Sequence, residues 1–217
     1  MTKLDFAGSS PALLVIDMQN GSCRLNGSVA RAGLDVRSSK AVIPAVGEVL
    51  VAARRAGITI LYTRNVFLPG LTDAGLISAA EHFPRLKGEN AFVRGSTDAD
   101  IVDELRPLPN EPVVDKRRYS AFFETDLHER LQALGVDKLI FTGVSTNVCV
   151  ESTLRDAFFR DYRNILVEDA VAERDPRRHE ATLLAVAYTF GRVASRAEVV
   201  AALDQIGTER AEHDRLP

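Results

Sequence analysis

The chain has 217 residues, 46% of them hydrophobic and 26% charged, with a formal net charge of −3. That length suffices for one α/β domain with a full core, and the composition is ordinary for a globular protein. The balance of charge lacks the basic footprint that nucleic acid or an anionic membrane would demand, and no apolar run approaches the roughly 20 residues that cross a bilayer. The opening segment MTKLDFAGSS has no signal-peptide core. Two cysteines, Cys23 and Cys149, make no disulfide framework. A cytoplasmic protein with free thiols is expected.

Pro11 to Asp17 (PALLVID) is a short apolar run ending in an acid, the pattern of a buried parallel strand. Residues 41–56 have helical spacing (Val42, Val46, Val49, Leu50, Ala53) and Gly57 stops them. Residues 58–63 (ITILYT) form a second strand. Residues 64–97 show no clean period and carry Pro69, Gly70, Pro84, Gly88 and Gly95, which predicts a long loop with one short helix. A helical turn at 101–105 and a third strand at 112–115 follow. A helix over 125–134 ends at Gly135, and the fourth strand, 138–142, leads into a helix over 147–161. The fifth strand is 164–167, then a helix over 176–189, a short sixth strand at 192–194, and a last helix to about 206. The charged tail, 207–217, is expected to fray.

Strands alternating with helices predict an α/β fold. Its form is a three-layer αβα, Rossmann-like parallel sheet of about six strands with helices on both faces, in a single domain. Right-handed crossovers bring the strand carboxyl ends to one edge, where such sheets bind ligands.

Three chemically capable residues sit at or just past strand carboxyl ends: Asp17, Lys116 and Cys149. Each has an ordinary alternative. Asp17 caps the next segment, Lys116 is a solvated lysine in a basic run with Arg117 and Arg118, and Cys149 is a buried structural thiol. Cys149 also follows a strand and begins a helix, where unpaired N–H groups favour thiolate. An acid, a base and a thiol converging on a ligand edge is the pattern of an activated nucleophile.

Three blocks then carry a family resemblance: LLVIDMQN (13–20), KRRYSAFFETDL (116–127) and GVSTNVCVESTLRDAFFRDY (143–162). Over about residues 10–205 the chain resembles the isochorismatase-like cysteine hydrolases. The resemblance implies a catalytic triad of Asp17, Lys116 and Cys149. It also implies a cis peptide between Val144 and Ser145, and an oxyanion hole made by the N–H groups of Ser145 and Cys149. The third block most resembles the ureido-amide branch, which contains ureidoacrylate, biuret and triuret hydrolases. That branch implies hydrolysis of a C–N bond in a small ureido, carbamoyl or carboxamide compound through a thioester, with release of ammonia or an amine. Two alternatives stay open. KRRYSAFF resembles the vinyl ether hydrolases of the superfamily, and a non-catalytic oligomeric binding protein on the same fold is the other.

Arg64, Asn65, Tyr119 and Phe123 are candidate substrate-binding residues. Arg64 pairs with a substrate carboxylate or carbonyl or stays on the surface; Tyr119 and Phe123 wall the pocket or pack into the core. Thr146 and Asn147 cap the helix that follows, and Glu151 with Arg155 forms an intrahelical pair. Nicotinamidases of this fold place a metal site after the second strand, where this chain reads YTRNVFLPG. His82, His128, His179 and His213 lie elsewhere without ligand spacing, so neither metal nor cofactor is expected. Cys23 is read as a spare thiol in an exposed Gly-rich loop. The resemblance further implies a homo-oligomer, a dimer or tetramer, with a small-molecule substrate as its other partner.

Overall fold

The computed structural model describes residues 4–213. Six parallel strands form one sheet: β1 (Pro11–Ile16), β2 (Thr59–Asn65), β3 (Val113–Lys116), β4 (Lys138–Val144), β5 (Arg163–Ala172) and β6 (Arg192–Ala194). Their order is β3-β2-β1-β4-β5-β6. The first half of the chain therefore builds outward from β1 and the second half outward from β4. The crevice between those two strands is the topological switch point of a doubly wound sheet.

Every residue of β1 is buried, because helices cover both faces. Leu13 and Val15 join a core with Val46, Val49, Leu50 and Ala53 of helix Ile43–Ala56 and with Val199 and Leu203 of helix Arg196–His213. Ala12, Leu14 and Ile16 point the other way, into a core with Leu127, Leu131, Leu154 and Ala157 of the helices Leu127–Ala133 and Glu151–Phe158. The alternation of strand side chains thus divides the molecule into three layers. No helix among the described residues is long and apolar enough to cross a membrane.

Several boundaries move. The stretch 64–97 carries its own small core of Phe67, Leu71, Ala74, Phe83, Ala91 and Phe92, built on 3₁₀ turns and the short helix Phe83–Gly88. Asp98 ties it to the preceding loop, accepting hydrogen bonds from Phe92 N (2.8 Å), Ser28 N (2.9 Å) and Ser28 Oγ (2.6 Å). β5 runs on to Ala172 through the exposed pair Glu168 and Asp169, which hid its second half from an apolar-run reading. The last helix continues past Ile206 to His213. It meets the end of helix Ile43–Ala56, where Arg55 pairs with Asp204 at 2.7 Å. The part of the expected frayed tail at 214–217 lies outside the described residues.

Candidate active site

Asp17 is the residue at which β1 turns out of the sheet. Its φ of 52° is left-handed, which a non-glycine residue adopts only under constraint. The constraint is visible: its N–H donates to Thr63 O at 3.1 Å, and its carboxylate is held by three donors. Thr63 Oγ1 donates to Oδ1 at 2.7 Å, while Asn65 Nδ2 and Lys116 Nζ both reach Oδ2 at 2.8 Å. Lys116 comes from the end of β3, in register with Asn65 on β2. Its ammonium also donates to Asn65 Oδ1 at 2.9 Å and Arg118 O at 3.1 Å, and lies 3.3 Å from Cys149 Sγ. Asp17, Lys116 and Cys149 are 2%, 1% and 6% exposed, so the three form one dry cluster.

Asn65 binds the cluster together. Its carboxamide donates to Asp17, accepts from Lys116, and stands 4.0 Å from the sulfur. Gln19 holds Asn65 in turn. Gln19 Oε1 accepts the Asn65 N–H at 2.8 Å, and Gln19 Nε2 donates to Asn65 O at 2.9 Å and to Ala99 O at 2.8 Å. Gln19 is fully buried, and sequence reasoning passed over it. Its one signal was a polar residue directly after an apolar strand.

Cys149 arrives by a different route. β4 ends in Gly143 (φ 111°) and a cis peptide between Val144 and Ser145. A Cβ on Gly143 would come within 2.0 Å of Ile16 O, so only glycine permits β4 this close to the end of β1. Beyond Ser145 the chain makes one π-helical turn, Thr146–Val150, in which Ser145 O accepts from Val148 N (3.0 Å) and Val150 N (3.2 Å). Such wide turns recur at functional sites. The predicted continuous helix over 147–161 is therefore a π turn followed by the α-helix Glu151–Phe158. Thr153 Oγ1 donates to Cys149 O at 2.6 Å, and Thr146 Oγ1 lies 3.0 Å from His179 Nδ1.

The electrostatics reverse one expectation. Helix-terminal N–H groups were expected to favour thiolate at Cys149. Burial and the neighbouring Asp17 charge instead push the thiol up to about 12, against the opposing pull of Lys116. Burial disfavours the charge on Lys116, but Asp17 and the sulfur outweigh it and hold its pKa above the usual lysine value. The resting cluster is thus a carboxylate, an ammonium and a neutral thiol.

A cavity of about 340 Å³ opens over Cys149, lined also by Asp17, Asn65, Tyr119, Ser145 and Asn147. Val29, Phe92 and Val148 give it an apolar wall, Glu173, Arg174 and Arg178 a charged one, and His82 also lines it. Of the four binding candidates, Asn65 and Tyr119 line this cavity. Arg64 does not: it turns to Asp115 (2.5 Å) and Asp100 (3.4 Å) across the strand ends. Phe123 is also elsewhere, 47% exposed beneath the guanidinium of Arg118 at 5.6 Å. Cys23 is fully buried rather than exposed, and burial pushes its thiol up to about 12. His82, read as remote, lines the cavity, and burial together with Arg174 and Arg85 lowers its pKa. Glu151 and Arg155 do pair along their helix, at 2.6 Å. Among the described residues no group of three or more His, Cys, Asp or Glu is placed to hold a metal ion. Arg174 and Arg178 went unnoticed because β5 was read as ending early; at its true carboxyl end, the strand-edge rule points straight at them.

A thiol in contact with a buried acid and a buried ammonium, at the switch point of a doubly wound sheet, is the arrangement of a hydrolase with a cysteine nucleophile. The signature described as an isochorismatase domain matches residues 11–198. The ureidoacrylate amidohydrolase RutB of Cronobacter sakazakii is 38% identical over 203 residues, covering 88% of this chain and 87% of that protein. The crystal structure of a cysteine hydrolase from Pseudomonas syringae pv. phaseolicola superposes with a TM-score of 0.82 at 30% identity, covering 95% of this chain and all of that one (100%). That of N-carbamoylsarcosine amidase from Thermoplasma acidophilum superposes with a TM-score of 0.71 at 28% identity, covering 86% and 96%. The chain belongs to the isochorismatase domain family.

Proposed function

We propose that the chain hydrolyses a ureido compound bearing a carboxylate, with Cys149 as nucleophile, Asp17 as proton carrier and Lys116 as the cation that holds both. The activity is that of a cysteine amidohydrolase acting on a ureido or carbamoyl C–N bond, the activity for which the C. sakazakii relative and the T. acidophilum amidase are named. The observation that carries the residue assignment is Lys116 Nζ lying 2.8 Å from Asp17 and 3.3 Å from Cys149 beneath one cavity.

The chemistry follows from the resting charges. Asp17 takes the thiol proton as sulfur attacks the planar carbonyl carbon. Lys116 stays bonded to both groups and neutralises whichever is charged. The oxyanion is met by the N–H groups of Ser145 and Cys149; losing one such donor typically costs about 2.7–4 kcal/mol of barrier. Asp17 returns the proton to the leaving nitrogen, the C–N bond breaks, and ammonia or an amine departs from a thioester. Asp17 then deprotonates water as its oxygen attacks the thioester; the C–S bond breaks, the acid departs, and Asp17 gives that proton back to the Cys149 sulfur. Tyr119 walls the pocket. The carboxylate of the substrate lies against Arg174 and Arg178, whose nearest acids stand 3.5 Å (Glu173) and 3.9 Å (Asp175) away. Such long ion pairs leave guanidinium donors free for a second carboxylate.

The protein works as a single cytoplasmic domain and forms a homo-oligomer. Phe159, Leu184 and Tyr188 are exposed by 72%, 72% and 91%, apolar surface that a second copy covers, and light scattering at a monomer mass would refute this. The assay for the whole proposal is ammonia release from ureido acids, biuret, triuret and carboxamides by wild type and Cys149→Ala, with EDTA present. Release that disappears with Cys149 supports it. Release that survives the substitution overturns it.

A further inference from the structure

We infer that Asn147 accepts the internal N–H of a ureido substrate and thereby sets a preference for ureides over simple carboxamides. The inference rests on the proposed amidohydrolase chemistry and names the feature of the substrate that the site reads. Asn147 stands two residues before the nucleophile and lines the same cavity. Its Oδ1 is buried and has no hydrogen-bond partner, and among the described residues lining that cavity no other side-chain oxygen is so placed. The expected helix-capping role would have given Asn147 Oδ1 a partner, and it has none. A buried acceptor left open beside a nucleophile is costly unless a ligand or water fills it.

The reacting carbonyl decides which donor arrives. Its carbon is planar with three substituents. The oxygen must face the Ser145 and Cys149 N–H groups, and the leaving nitrogen must face Asp17, which protonates it. The third substituent is left to the rest of the lining, to which Asn147 belongs. In a carboxamide that substituent begins with carbon and offers nothing to Oδ1. In a ureide it begins with N–H and donates. Arg174 and Arg178, which line the same cavity, then receive a carboxylate at the end of that arm.

The test uses 3-ureidopropionate and glutaramate, which differ only by NH against CH₂ beside the carbonyl. Their dissociation constants are measured calorimetrically on Cys149→Ala, alone and combined with Asn147→Leu or Asn147→Asp. Cys149→Ala prefers the ureide. Asn147→Leu, of similar size but without an acceptor, shrinks that preference about 10-fold or more. Asn147→Asp keeps the acceptor and holds the preference within about 3-fold of the parent. An unchanged preference in Asn147→Leu overturns the inference, as does equal weakening of both compounds, or failure of both to bind Cys149→Ala. Ammonia release by wild type is scored separately. If it fails while the binding preference behaves as stated, the amidohydrolase reading falls and the recognition by Asn147 stands.

Discussion

Replacing Lys116 with methionine keeps the bulk of the side chain and removes one charge from a dry cluster. In the folded protein Lys116 and Asp17 are 0% and 2% exposed at their side chains and lie 2.8 Å apart. At an effective dielectric of ~20, two unit charges at that separation attract by about 6 kcal/mol. Desolvating them costs several kcal/mol per ion, so the intact pair roughly breaks even. Half of the pair does not: an uncompensated buried carboxylate costs about 3–5 kcal/mol. For a chain of this size 1 kcal/mol moves Tm by about 2–4 °C, which gives a fall of roughly 6–20 °C at pH 8. The pH dependence has a definite sign. The pKa of Lys116 is raised on folding, so its stabilising contribution is fully present below the ordinary lysine range and is lost only above it. Wild type therefore keeps this contribution throughout pH 5–8. Scanning fluorimetry at pH 8 reads the fall. A Tm within about 2 °C of wild type would refute the reasoning.

Gln19→Ala releases the backbone of Asn65 from its two-sided clamp and should lower kcat at least about 10-fold with a smaller change in KM; an unchanged kcat in steady-state assays would show that Asn65 needs no such support. Gly143→Ala places a Cβ 2.0 Å from Ile16 O at a φ of 111°, and should lower stability by roughly 2–5 kcal/mol in urea unfolding. An unmoved midpoint would contradict the close β1–β4 approach. Because burial and Asp17 push the Cys149 thiol up to about 12, its alkylation by iodoacetamide should keep rising with pH from pH 7 to 10, about tenfold per pH unit. Peptide mass spectrometry separates it from Cys23, and a plateau at Cys149 below pH 9 would show an activated thiolate at rest.

The sheet was legible because β1, β2 and β4 are nearly unbroken apolar runs that must be covered on both faces. The candidate site was legible where a reactive side chain stands at or just past a strand's carboxyl end, as Asp17 and Lys116 do. The rest depended on details that periodicity does not carry. Arg64 and Asn65 adjoin on β2, and adjacent strand residues face opposite ways, so only one of them reaches the cluster. The apolar run alone does not say which. The helix after β4 reads as continuous because a π turn keeps helical spacing while inserting one residue. Arg174 was hidden by Glu168 and Asp169, which broke the apolar pattern of β5 before its end. Phe123 sits in a family-like block, but Arg118 packs over it and it stays outside the cavity.

The cluster's charge count ties the raised thiol pKa to the proposed order of events. At rest, one carboxylate and one ammonium sum to zero beside a neutral thiol. Ionising that thiol into solvent would leave a net negative charge in a site with almost no exposure, which is what pushes it up to about 12. Moving its proton to Asp17 instead leaves a thiolate and the Lys116 ammonium, again summing to zero. Lys116 already lies within reach of both acceptors, at 2.8 and 3.3 Å, so its bonds need only shift in strength. The favoured path is therefore proton transfer coupled to attack, with little standing thiolate. A high thiol pKa, taken alone a sign of an inert structural cysteine, is here the consequence of placing its base inside the same dry cluster. In the proposed mechanism the same arrangement serves the return step, in which Asp17 gives up the proton to the leaving nitrogen only as the C–N bond breaks.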